Sequence, residues 1–197
     1  AEIDGMFDDV STDPMGSLLC RRDARVAAAP KLMLLCHMDE IGFLVSHITK
    51  DGFLYLLPVG GFAPRNLFSR RVLVCTDEGD FKGGMNPGGK PIHIQSPEDR
   101  KKVPEVGEFF VDLGMGKAAC DVVKVGDFVV MDEPFVEMGD KFVSNTLDNR
   151  IACWLGIEAI RQLGDKGRGA EIHVAFTTQE EVGLRGARTS SFAIQPD

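Results

Sequence analysis

"LLCHMDEIGF", Leu34 to Phe43, joins an apolar run directly to a histidine, an aspartate and a glutamate packed within four positions. The run it completes, Lys31 to Cys36, has the unbroken apolar character of a strand buried on both faces, as in a parallel sheet covered by helices. Ionisable groups placed where such a strand ends are costly to desolvate unless they are paired or bind a metal. In open α/β sheets, ligands bind outside the carboxyl ends of the strands. The stretch therefore reads as a site at a strand end. The competing reading is a loop whose charges face water.

On the amino-terminal side, residues 1–29 read as a β-hairpin turning at Asp13-Pro14-Met15-Gly16. On the other side, Ile41–Ile48 and Phe53–Leu57 form a second hairpin around Thr49-Lys50-Asp51-Gly52. From Gly60 to about Val143 the character changes. Short β-like pieces (71–75, 109–113 and 127–131) alternate with Gly- and Pro-rich turns such as Gly83 to Gly89, and no helical period emerges. This block reads as a small all-β module inserted in an α/β domain. After it, Asn149 to Leu163 has a helical period, with Ile151, Trp154, Leu155, Ile157 and Ile160 on or near one face and Gly164 as its stop. Ile172 to Phe176 is another apolar strand that ends in a polar cluster, "TTQEE", ahead of a helix from Leu184 onward. The expected domains are 1–59, the first part of the α/β domain; 60–143, the β insert; and 144–197, the second part.

Composition narrows the partners. The 197 residues are 44% hydrophobic, enough for one full domain or a core with a smaller insert. The net charge of −8, with Lys and Arg scattered, argues against nucleic acid and anionic membranes. Five cysteines without CxxC pairing suggest a reducing compartment, and no apolar stretch approaches the roughly 18 residues of a membrane span. A cytoplasmic location is expected. The chain opens Ala1-Glu2-Ile3 without Met, so its natural start is expected to be missing.

Three clusters carry candidate chemistry, and their mix of carboxylate oxygen and imidazole nitrogen suits hard or borderline metal ions. In the first, His37 and Asp39 point to one side of an extended backbone. A metal-bound imidazole usually donates its other N–H to a carboxylate, a role open to Asp39; the alternative is a surface His–Asp pair. The second is Asp148 in "NTLDNR". It stands either as a helix N-cap or as a carboxylate bridging two metal ions. The third is Glu180-Glu181, adjacent carboxylates whose repulsion raises the pKa of one unless a cation lies nearby. A metal that takes one and leaves the other as proton acceptor resolves that conflict; the alternative is a solvated acidic turn. His47, His93 and His173 read as structural. Cys36 and His37, adjacent in a strand, face opposite ways and make no nucleophile pair.

"HMDEIGF", "LDNR" and "TTQEEVGLRGA", in this order around a β insert, resemble the dinuclear metallo-aminopeptidases called tetrahedral, deblocking or glutamyl aminopeptidases, some of them formerly labelled cellulases. "PVGGF", "VKVGDFV" and "SSFAIQPD" match in kind, so the resemblance covers roughly residues 10–197. It implies a three-layer α/β/α zinc-exopeptidase-like core and a barrel-like insert through which members self-assemble, often into twelve-subunit shells. It implies two divalent ions per subunit, zinc or cobalt. His37 would bind one ion, Glu181 the other, and Asp148 both. Glu180 would be the general base and Asp39 would steady His37, in removal of N-terminal residues from peptides.

Further metal-binding Asp and His residues of the family lie beyond the position matching Asp197, so these 197 residues alone are expected to bind little metal and to have negligible peptidase activity. The family's helical segment before the first strands is also not matched here. Two rival readings remain. One is a carboxylate glycosidase, disfavoured by the single Trp and single Tyr available for stacking sugars. The other is a non-catalytic, incomplete family member.

Overall fold

The computed structural model describes residues 2–197; Ala1 alone lies outside the described residues. In chain order the elements are β1 (Asp9–Thr12), β2 (Leu18–Arg22), β3 (Lys31–His37), β4 (Gly42–Ile48), β5 (Leu54–Val59), β6 (Arg70–Thr76), β7 (Gly79–Pro87), β8 (Phe109–Asp112), the single turn α1 (Ala119–Val122), β9 (Phe128–Met131), β10 (Val136–Met138), β11 (Lys141–Val143), α2 (Leu147–Leu163), β12 (Glu171–Thr177) and α3 (Arg185–Ile194). They form two compact units, Ala1–Glu40 with Thr146–Asp197, and Ile41–Asn145.

The first unit is a four-stranded sheet in the order β1-β2-β12-β3. β1 and β2 form the expected hairpin, and the Asp13 carboxylate closes its turn by accepting from the amides of Met15 (2.9 Å) and Ser17 (2.8 Å). β12 runs antiparallel to β2 and parallel to β3, with Glu171 opposite Lys31 and Thr177 opposite His37. Helices cover opposite faces. α2 lies on the face of Cys36 and Val174, so closely that a Cβ on Gly156 would stand 3.0 Å from the Cys36 sulfur. α3 lies on the alternate face, where Ser191 Oγ reaches Met33 Sδ (3.7 Å) and Lys31 Nζ donates to the Ile194 carbonyl (3.2 Å). Three layers result.

Two expectations about this unit need correction. β3 is buried only at Cys36 and His37, while Leu32, Leu34 and Leu35 are 51%, 40% and 47% exposed. β3 stands last in the sheet order, so no described strand flanks its outer side. The buried stripe of α2 keeps only Ile157 and Ile160 of the five residues expected. Gly156 and Ile160 are buried, flanked by Ala152, Cys153, Ile157 and Leu163, whereas Ile151, Trp154 and Leu155 remain exposed. The small side chains at 152, 153 and 156 allow the closer approach to the sheet, and dispersion and burial favour that face.

The second unit is a closed barrel, β4-β5-β8-β7-β6-β9. Phe43, Val45, Leu54, Leu56, Val72, Val74, Met85, Phe109, Val111 and Val129 fill its interior. The hairpin of β4 and β5 belongs to this barrel and not to the α/β unit, which places the boundaries after residues 40 and 145 and not after 59 and 143. The reason is long-range pairing: Phe43 pairs with Val129 and Leu54 with Val111. Gly52, at φ +90°, makes the hairpin turn, and a Cβ there would overlap the Gly116 carbonyl. Gly83 to Pro87, expected as a turn, is strand. A Cβ on Gly83 would come within 2.5 Å of Val111 Cγ1, so the missing side chain admits β8's valine.

Beyond the barrel strands, β10 and β11 pair as a two-stranded ribbon. His93 lies in a single 3₁₀ turn. None of the five cysteines forms a disulfide, and no described helix is long and apolar enough to cross a membrane.

Candidate metal centre

Because β3 and β12 are parallel and in register at His37 and Thr177, their polar carboxyl ends emerge side by side. The Met38 amide donates to the Thr177 carbonyl (2.8 Å), carrying the pairing one residue further and delivering Asp39 to the turn after β12. That turn holds Glu180 and Glu181, and the Glu180 carbonyl accepts from the amides of both Gly183 and Leu184 at 3.0 Å.

His37 is 8% exposed. Its Nε2 lies 3.2 Å from Asp148 Oδ1 and 3.7 Å from Glu180 Oε2. Its Nδ1 faces the Asp39 carbonyl oxygen at 3.2 Å, with the Asp39 carboxylate at 3.6 Å. One donor atom each from His37, Glu180 and Glu181 fall within 4.8 Å of one another. The Asp39 carboxylate accepts the backbone amides of Glu180 at Oδ1 (3.1 Å) and Glu181 at Oδ2 (3.2 Å).

Asp148 is released from the capping role open to it in the sequence. Its φ and ψ are non-helical, and Asn149 Oδ1 instead accepts the Ala152 amide (3.1 Å), the bond an N-cap makes to the third helical residue. The Asp148 side chain is 86% exposed and reaches His37. Sequence reasoning passed over Arg150. Its Nη2 stands 3.4 Å from Glu40 Oε1 and its Nε 3.4 Å from the Met38 carbonyl, so it fastens the start of α2 to the loop after β3. A cation two residues after a candidate bridging acid was the available signal.

The electrostatics are those of a site short of positive charge. The Glu181 carboxyl is held above its ordinary value, first by burial, then by Glu180 and more weakly by Asp148 and Asp39, with His37 opposing. Burial also raises Glu40, against the pull of Arg150. An imidazole nitrogen converging with several carboxylates, of which Glu181 resists ionisation, is the donor set a divalent cation satisfies. The remaining histidines lie elsewhere: His173 is tied to Glu171 (2.7 Å) in β12, and His47 is beside Tyr55 in the barrel.

The family model described as M42 glutamyl aminopeptidase matches residues 16–197. The chain belongs to that family. It is 34% identical over 195 residues to the lysyl aminopeptidase of Pyrococcus furiosus, covering 96% of this chain and 54% of that protein. Among solved structures, aminopeptidase APDkam598 from Desulfurococcus kamchatkensis matches with a TM-score of 0.88 at 33% identity, over all of this chain and 53% of that one. The TET1 peptidase of Pyrococcus horikoshii, described as assembling into a tetrahedron or a large octahedral shell, matches at TM-score 0.84 and 32% identity, over 100% of this chain and 58% of that one. The chain thus spans about half the length of the M42 relatives it matches.

Proposed function

We propose that the protein is a metal-dependent aminopeptidase that removes N-terminal residues from peptides. The observation that supports this most directly is the convergence of His37, Glu180 and Glu181 beside Asp148, at the carboxyl ends of two parallel strands. In this reading His37 would hold one of two divalent ions, zinc or cobalt, Glu181 would hold the other, and Asp148 would be shared between them. The ions, when bound, supply Lewis acidity toward the scissile carbonyl and lower the pKa of water at the site. Glu180 is the proton carrier: its carboxylate takes a proton from the attacking water and returns it to the departing amine nitrogen. Asp39 steadies the Nδ1 side of His37 through its carbonyl oxygen.

Chelation of the whole protein should abolish hydrolysis of amino-acid p-nitroanilides, and added zinc or cobalt should restore it. Hydrolysis indifferent to chelator would overturn the reading. Self-assembly through the barrel unit, into shells such as a dodecamer, belongs to the same proposal. Its support is the assembling M42 relative and the apolar ribbon of β10 and β11, where Val136, Met138, Phe142 and Val143 are exposed beside Phe135. A reducing cytoplasmic setting fits cysteines that form no disulfide.

A further inference from the structure

We infer that the Asp39 carboxylate, in addition to its place beside His37, is a positioning device for the Glu180-Glu181 turn that holds two successive backbone amides. The inference rests on the aminopeptidase reading only for its consequence in turnover. Nδ1 of His37 already meets the residue 39 carbonyl oxygen at 3.2 Å, closer than the carboxylate at 3.6 Å. The carboxylate oxygens are divided, one to each amide, at 3.1 and 3.2 Å. Bonds from amides to an ionised acceptor are stronger than those to neutral oxygens, and a two-oxygen acceptor fixes both successive peptides at once.

The consequence is geometric. Both glutamates lie on a short turn between β12 and α3, where nothing in a strand or helix ladder fixes their amides. Asp39 is tied to the end of β3, through Met38 N to Thr177 O. Its carboxylate therefore transfers the register of two parallel strands to the proton carrier and to the neighbouring ligand. Asn is close in shape, but it offers one acceptor oxygen, and its NH2 would face the second amide donor to donor.

The test is residue-resolved hydrogen–deuterium exchange of the whole protein, with fragmentation that separates Glu180 from Glu181. In the unsubstituted protein both amides should be protected. In Asp39→Asn exchange at both should accelerate by about ten- to a hundredfold, the loss of one charge-assisted bond per site. On a p-nitroanilide kcat should fall with little change in KM, and metal at His37 should persist because the carbonyl contact is kept. Unprotected amides in the unsubstituted protein would overturn the inference without any variant. So would unchanged exchange at both positions in Asp39→Asn. A protein that hydrolyses no p-nitroanilide yet shows the exchange pattern would fault the aminopeptidase reading and leave the role of Asp39 standing.

Discussion

The barrel and the α/β unit solve the same problem in different ways. In the barrel every strand edge is paired with a neighbour, and Phe43, Leu54, Val72, Met85, Phe109 and Val111 are wholly enclosed. The α/β unit has a smaller buried cluster, and its last strand exposes Leu32, Leu34 and Leu35. The ionisable cluster sits in the more open α/β unit, at His37, Asp148, Glu180 and Glu181. Closure favours stability, whereas open strand ends are where ligands bind in α/β sheets.

The largest effect that could break this division of labour is chemical. Glu180→Gln should lower turnover by about 10²–10⁴-fold, the usual range for a general acid–base group, while metal content stays near its original level. Glu181→Gln should lose metal as well as rate. Elemental analysis beside a p-nitroanilide assay separates the two, and variants that keep both metal and rate would remove both glutamates from the chemistry.

Next in size is the contrast between the cores. Phe109→Ala, in a fully enclosed barrel position, should cost about 3–5 kcal/mol. Leu35→Ala, 47% exposed on β3, should cost less than about 1 kcal/mol. The chain has one Tyr and one Trp, and they lie in different units. Denaturation followed at Tyr55 therefore reports the barrel, and at Trp154 the α/β unit. Equal costs at the two sites would erase the distinction. Within the barrel, Gly83→Ala should cost about 1–3 kcal/mol, because its methyl would press on Val111 in a closed wall.

How much of this was legible follows the range of the interactions. The turn at Asp13, strand β3 and the strand–turn–helix of residues 171–194 are local patterns, and each is found where the sequence puts it. Two of the three acidic clusters were legible because charge directly after an apolar strand is costly, and the fold does bring His37, Glu180 and Glu181 together. The closure of the barrel was not legible. Pairing of Phe43 with Val129 spans most of the insert, so the β4–β5 hairpin looks in sequence like any other. Gly83, next to another glycine, resembles a turn residue until the Val111 methyl that needs the space is known. For α2, the large apolar residues marked a helix correctly and Ile157 and Ile160 do face the core, but Ile151, Trp154 and Leu155 do not, because Ala152, Cys153 and Gly156 gain by close approach what they lack in area.

The smallest expected effect also distinguishes the units, through pH. Cys20 and Cys36 lie inside the α/β unit, and burial pushes both thiols up from 9.0 to about 11, with Asp9 adding to the first and Cys153 to the second. A thiol whose folded pKa exceeds its unfolded value holds its proton more tightly when folded. Its stabilising contribution is complete below pH 9 and is lost as pH rises from there toward 11. By pH 9.5 the loss should be about 1 kcal/mol per thiol. Urea midpoints read at Trp154 should therefore fall between pH 8 and 9.5, with no thiolate formation needed at neutral pH. Cys36→Ala should lower the starting stability by leaving space beside Gly156, yet flatten the pH slope. A slope unchanged by that substitution would mean that the Cys36 thiol contributes nothing to the alkaline loss of stability.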